Sequence, residues 1–281
     1  MLKTRILTIV VIVPFLLAAL FLLPPLGWGI ATLLVIAVAA REWASLVGLG
    51  KPGSVCFVGG TVLFGMALLL APAFAFDGGW PDRVVLAVCG ASAIFWLCVA
   101  PWWVVRRWPT RAPFPMAVVG WVVLLGAWVA LAELQTRSPG LLLAAMGIVW
   151  VADTAAYFAG RAFGRRKLAP QVSPGKTWEG VAGALLAVGI YALALAPLAR
   201  AAGFVLPLDA VAVAAWVAFV LLIAVVSIFG DLFESLLKRG AGVKDSGSVL
   251  PGHGGVLDRT DALLAAMPFA ALAAQCFLVR H

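Results

Sequence analysis

Asp231, Glu234, Ser235 and Lys238 stand at relative spacings of 0, 3, 4 and 7. On a helix those positions share one face, so the four side chains form a polar stripe. The stripe runs into residues 235–261, SLLKRGAGVKDSGSVLPGHGGVLDRTD, which hold Lys238, Arg239, Lys244, Asp245, His253, Asp258, Arg259, Asp261 and six glycines. Asp258 and Asp261 are three apart and share one face of the helix that starts there. Carboxylates from two helices can meet over a cation. Hard oxygen ligands suit Mg²⁺, which takes one or two of them and leaves its other positions to phosphates and water. The same acids can instead pair with Lys238, Arg239 and Arg259. Pro251-Gly252-His253-Gly254-Gly255 cannot be helical. Gly254 and Gly255 let backbone N–H groups approach an anion, and the helix start beyond them also favours negative charge. His253 suits a neutral hydrogen bond as well as acid–base work. His and Cys are too few for a zinc site. The chain has no G-x-S-x-G and no Walker A pattern.

A second candidate is Ser173-Pro174-Gly175-Lys176-Thr177-Trp178-Glu179-Gly180. Lys176 would bind a phosphate, while Thr177 and Glu179 stand where a helix begins. Capping plus a lysine placed by topology accounts for the same residues. Asp153 lies near the end of an apolar segment and faces Tyr157 one turn on; an acid in a span is functional by default.

The elements that must position these residues are membrane helices. The chain has 281 residues, a mean hydropathy of +1.10 and 11% charged residues. A soluble domain would carry about 25% charged residues. The chain is therefore an all-α polytopic membrane protein, a single integral domain over 1–281 with no separate soluble unit. Apolar windows predict nine helices near 6–24, 26–46, 55–75, 84–104, 115–135, 140–160, 179–199, 209–229 and 260–279. Unpaired backbone groups cannot face lipid, and the runs are too long for barrel strands. The first run has no A-x-A site after it and reads as a retained helix. The four cysteines lie in apolar segments and read as small hydrophobes.

Lysine and arginine placement sets the orientation. With a cytoplasmic N-terminus, 16 of the 20 fall on the cytoplasmic side, leaving Arg83, Arg137, Arg200 and Arg280 opposite. Trp80, Trp102, Trp103 and Trp108 read as interfacial anchors. The two longest polar loops, near 161–179 and 231–259, then share the cytoplasmic face, and residues 1–137 read mainly as scaffold. Seven of the twelve acids (Asp153, Glu179, Asp231, Glu234, Asp245, Asp258 and Asp261) lie in or beside those loops. An unpaired acid deep in a span costs about 2.5–3.5 kcal/mol on insertion scales, so pairing or cation binding must compensate. The net charge of +8 suits anionic headgroups and phosphates rather than nucleic acid.

The run from Ser235 through Lys238-Arg239, Lys244-Asp245, Pro251, His253-Gly254-Gly255 and Asp258-Arg259 to Asp261 resembles the signature of the CDP-diacylglycerol synthase (phosphatidate cytidylyltransferase) family. Asp153-Thr154, Gly160-Arg161, Gly164-Arg165, Lys167, Pro170 and SPGKTWEG resemble the family's preceding region. At Gly175 the family more often carries a second lysine. The specific resemblance covers roughly 150–261. It implies the reaction of CTP with phosphatidate to give CDP-diacylglycerol and pyrophosphate, dependent on Mg²⁺. It also implies nine helices, a homodimer, and Asp231 and Asp258 as metal ligands, with a second cation possible. Lys176, Lys238, Arg239, Lys244 and Arg259 would then hold phosphates, with Asp245 and Asp261 orienting these cations or metal-bound water. A bacterial-type inner membrane, with the site on its cytoplasmic face, is the expected location. The rivals are a CTP-dependent polyprenol or lipid kinase, which would release CDP, and an ion-coupled transporter, which would carry polar residues through several spans.

Overall fold

The computed structural model describes residues 2–71, 79–201, 209–249, 252 and 254–277. Among them are nine helical runs: α1 (Leu2–Leu22), α2 (Pro25–Val47), α3 (Lys51–Leu70), α4 (Asp82–Arg106), α5 (Pro113–Arg137), α6 (Pro139–Phe163), α7 (Trp178–Ala201), α8 (Ala210–Ala241) and α9 (Leu257–Phe277). By length and composition alone, α2 to α8 are long and apolar enough to cross a membrane, α7 over Trp178–Pro197. The chain is thus an integral membrane protein.

Local sequence sets the helix ends. Prolines open α2, α5 and α6 at positions whose N–H has no helical partner. Ser138 caps α6 by accepting from Leu141 N at 3.4 Å, and Asp209 caps α8 by accepting from Ala212 N at 2.9 Å. Gly48 and Gly242 close α2 and α8 in the left-handed region, at φ 82° and 72°. Within α4 a π-turn spans Phe95–Val99, just before Pro101. Proline removes one helical donor and clashes with the carbonyl four residues back, and a π-bulge accommodates both.

Two elements differ from the sequence expectation. α8 continues 12 residues past the predicted end at 229, to Ala241, so the stripe from Asp231 to Lys238 is helical rather than loop. The 161–179 segment contains an antiparallel hairpin, β1 (Lys167–Ala169) with β2 (Ser173–Thr177), in which Lys167 pairs with Thr177 and Ala169 with Ser173. Hydropathy sees a polar stretch in either case and cannot separate a helix end or hairpin from a loop.

Packing divides the bundle. In the first half, indoles tie α2 to α5: Trp43 Nε1 donates to Met116 O at 2.9 Å, and Trp128 Nε1 to Gly29 O at 3.0 Å. Trp80 is only 4% exposed and lies edge-on to Trp128 at 5.3 Å. It is a packing residue rather than the predicted interfacial anchor. Trp102 is exposed, with Arg106 over its ring at 5.6 Å, as an interfacial position requires. In the second half α6 lies on α7, and α8 on α9. Small residues allow both approaches. A Cβ on Gly180 would sit 2.9 Å from Ala156 O, and one on Gly230 2.5 Å from Asp261 O.

Candidate active site

A cavity of about 480 Å³ opens between α6, β2, α7 and α8. Asp153, Tyr157 and Arg161 line it from α6, Gly175 and Lys176 from β2, and Asp231 from α8. Lys176 Nζ lies 2.8 Å from Asp231 Oδ2. Ser235, one turn beyond Asp231, donates from Oγ to Asp231 Oδ1 at 3.3 Å. The hairpin brings Lys176 there. It is held by Trp178 N donating to Arg166 O at 2.9 Å, and by Glu179 accepting from Arg165 N and Arg166 N at 3.1 and 3.2 Å. Arg239 Nε donates to Val172 O at 3.3 Å and ties the hairpin turn to α8. The close approach at Gly230 sets Asp261 beside Asp231, within electrostatic reach of Asp231, Lys176 and Asp153.

Asp258 has a different environment. Its Oδ1 accepts from Lys238 Nζ at 2.6 Å. Its Oδ2 accepts from Ser246 N at 2.8 Å, Gly255 N at 2.8 Å and Ser246 Oγ at 3.0 Å. Lys238 also pairs with Glu234 one turn earlier. Burial alone would raise the Asp258 pKa. The Lys238 ammonium and the Gly255 and Ser246 N–H groups outweigh it and hold the carboxyl at about 2. The Asp258 side chain is 7% exposed, whereas that of Asp231 is 33% exposed.

The structure therefore gathers Asp153, Lys176 and Asp231 at one cavity, with Ser235 and Asp261 beside Asp231, and Lys238, Gly255 and Asp258 in an adjoining buried network. Gly254 adopts φ 83° beside the Asp258 carboxylate, where a Cβ would come within 2.7 Å of Oδ2. Lys244, Asp245 and Arg259 are exposed, and Ser173 is half-buried in β2. His253 lies outside the described residues. Sequence reasoning missed two participants. Ser246 donates its N–H to Asp258 and sets its one hydroxyl between Asp258 Oδ2 and Glu42 Oε2, at 3.0 and 2.9 Å. Glu42 on α2 also accepts from Val256 N at 3.0 Å and Leu257 N at 2.9 Å. The only signal for Glu42 was a lone acid near the end of an apolar segment of the first half.

Behind the first cavity lies an apolar one of about 710 Å³, walled by Val104, Leu168, Trp178, Leu185 and Phe229 among others. Val181 and Ile228 line both cavities. A cavity that carries Asp153, Lys176 and Asp231 thus shares a wall with an apolar one inside a membrane protein, an arrangement suited to a reaction between a phosphate compound and a lipid.

Known proteins share this sequence over almost its whole length. The pattern defining the Cytidylyltransferase family matches residues 3–277. A "Phosphatidate cytidylyltransferase" of Pseudomonas aeruginosa is 41% identical over 97% of this chain and 97% of its own length. One of Haemophilus influenzae is 34% identical over 96% of this chain and 97% of its own. One of Thermotoga maritima is 44% identical over a shorter stretch, 42% of this chain and 43% of its own. With its helical membrane fold and its paired lysines and aspartates, the chain belongs to the cytidylyltransferase family, among the phosphatidate cytidylyltransferases or CDP-diacylglycerol synthases.

Proposed function

We propose that this protein transfers the CMP moiety of CTP to phosphatidate, giving CDP-diacylglycerol and pyrophosphate for phospholipid synthesis. The observation that carries the reading is the cavity at Lys176 and Asp231, which shares the wall of Val181 and Ile228 with an apolar cavity. Nucleotide phosphates suit the first cavity and the diacylglycerol portion the second.

The chemistry needs no side-chain nucleophile. A phosphate oxygen of phosphatidate forms a bond to the α-phosphorus of CTP. The bond from that phosphorus to the α–β bridging oxygen breaks, and its electron pair leaves with pyrophosphate. The barrier is repulsion between two polyanions, so catalysis is positioning and charge neutralisation. Lys176 and Lys238 each begin paired with a carboxylate. A phosphate entering the site offers each ammonium an alternative anion. Arg239, Lys244 and Arg259 stand around the same end of α8 and α9 to hold further phosphate charge. Asp245 and the Gly254-Gly255 turn border them.

The acids fit a divalent cation. Asp153, Asp231 and Asp261 share a field with Lys176 as their near cation, so three carboxylates against one ammonium leave −2 when all are ionised. Among the described residues, no three His, Cys, Asp or Glu side chains cage a metal by themselves. Mg²⁺ commonly uses one or two carboxylates and completes its shell with phosphates and water. Asp231, which lines the cavity, and Asp258, through Oδ1 once Lys238 turns to a phosphate, would hold it. Asp261 would orient its water or a second cation. The ion would supply charge neutralisation for the substrates and the leaving group. The protein would act as a homodimer in a bacterial-type inner membrane, with the site facing the cytoplasm.

Purified protein given phosphatidate, α-labelled CTP and Mg²⁺ should place label in the lipid and release pyrophosphate. Release of labelled CDP, with no label in the lipid, would mark a kinase instead and overturn the reading.

A further inference from the structure

We propose that Glu42, on α2 in the first half of the chain, is a positioning residue for this reaction. It holds Ser246 and the start of α9 in the register that places Asp258. The proposal rests on the reading of Asp258 given above.

Glu42 is 6% exposed, and among the described residues no lysine or arginine forms an ion pair with it. A carboxylate buried without a cation costs several kcal/mol unless hydrogen bonds replace its water. Here they come from one loop. Oε1 accepts from Val256 N, and Oε2 accepts from Leu257 N and Ser246 Oγ. Val256 and Leu257 sit at the start of α9, where N–H groups lack helical acceptors and the helix dipole favours negative charge. Glu42 thus caps α9 from a residue 215 positions earlier in the chain. An apolar side chain would leave the Val256 and Leu257 N–H groups without an acceptor, so this position requires one.

Geometry links that cap to Asp258. The Ser246 hydroxyl lies 2.9 Å from Glu42 Oε2 and 3.0 Å from Asp258 Oδ2, and Ser246 N donates to the same Asp258 oxygen at 2.8 Å. One hydroxyl carries one proton, so Ser246 is held between two carboxylates and fixes their separation. The glycines fit the same design. A Cβ on Gly247 would come within 2.5 Å of Glu42 Oε1, and one on Gly255 within 2.5 Å of Oε2. The N–H groups at the start of α9 already face an anion, and that anion is Glu42.

The test compares Glu42→Gln, Glu42→Asp and Ser246→Ala with the wild type in lipid nanodiscs. It reads hydrogen exchange of 246–258 and the separate kcat and KM values. A glutamine presents N–H where an acceptor is needed. Exchange in 246–258 should rise about tenfold while that of the remaining helices stays unchanged. A displacement near 1 Å should lower kcat about 10²-fold, with KM for CTP changed little. Glu42→Asp should recover part of kcat. Ser246→Ala should lower kcat alone and add little on top of Glu42→Gln, because both act through one loop. Wild-type exchange and kcat in Glu42→Gln would overturn the proposal. So would faster exchange in every helix with normal kcat in the folded fraction. If Glu42→Gln does not accumulate, a Ser246→Ala protein with normal kcat and loop exchange overturns it equally. A wild type that makes no CDP-diacylglycerol would sink the functional reading, while the exchange measurement would still report on the loop.

Discussion

Asp231 and Asp258 look equivalent in the sequence, yet the structure gives them different neighbours and so different expected losses. Asp231 lines a cavity and is partnered by Lys176 and Ser235. Asp231→Asn keeps the shape and removes the charge. It should abolish product formation, by about 10³-fold, because it removes a ligand of the cation that would neutralise transition-state charge, with the melting temperature within a few degrees of wild type. Asp258 accepts from a lysine, two backbone N–H groups and a hydroxyl while nearly buried. Asp258→Asn should lose activity as well, and breaking a buried pair should also remove about 3–5 kcal/mol of stability. Parallel assays of activity and thermal unfolding in detergent separate the two. Near-normal activity in either variant would remove its metal assignment, and an unshifted melting temperature for Asp258→Asn would contradict the buried network. Glu42 was illegible for a physical reason. Its partners lie more than 200 residues away, and spacing within a chain reports only on neighbours along the chain.

At the scale of elements, apolar runs made the helices legible because a bilayer accepts little else. What hydropathy could not read was polar helix. The stripe of Asp231, Glu234, Ser235 and Lys238 carried the 3–4 periodicity of a helix, and α8 does continue through it to Ala241. The hairpin that delivers Lys176 had no comparable signature: its strands are three and five residues long. Two element-scale predictions follow from packing. At Gly180 the α6–α7 approach leaves 2.9 Å between an added Cβ and Ala156 O. Gly180→Ala should therefore cost about 1–3 kcal/mol by overpacking, seen as a lower melting temperature. It should also lower kcat/KM, because Asp153 rides on α6 and Lys176 on β2, which runs directly into α7. Leu185 borders the apolar cavity and is absent from the lining of the Lys176 cavity. Leu185→Trp should raise KM for phosphatidate severalfold and leave KM for CTP unchanged. Equal effects on both substrates would remove the lipid assignment of that cavity.

At the scale of the whole molecule, the polar chemistry occupies one end of the bundle. Lys176 reaches Asp231, Arg239 reaches the hairpin turn, and Glu42 reaches the start of α9, so elements from both halves meet at that end. A different network closes the other end of the pairing between α5 and α9. Arg137 donates from Nε to Glu133 at 2.9 Å, from Nη1 to Ala274 O at 2.7 Å and from Nη2 to Gln275 Oε1 at 2.6 Å. The sequence asymmetry of 16 basic residues against 4 predicts that the Lys244 end faces the cytoplasm. CTP is cytosolic, so the proposed reaction demands the same orientation independently. Lys244 and Arg83 are both exposed and stand on opposite sides of that assignment. In a background with the native cysteines replaced by serine, Arg83→Cys should react with a membrane-impermeant maleimide in right-side-out vesicles, and Lys244→Cys only in inverted ones. The reverse pattern would put the Lys176–Asp231 cavity on the face without CTP. The proposed transferase reaction would then fail for want of substrate, however well the site residues fit it.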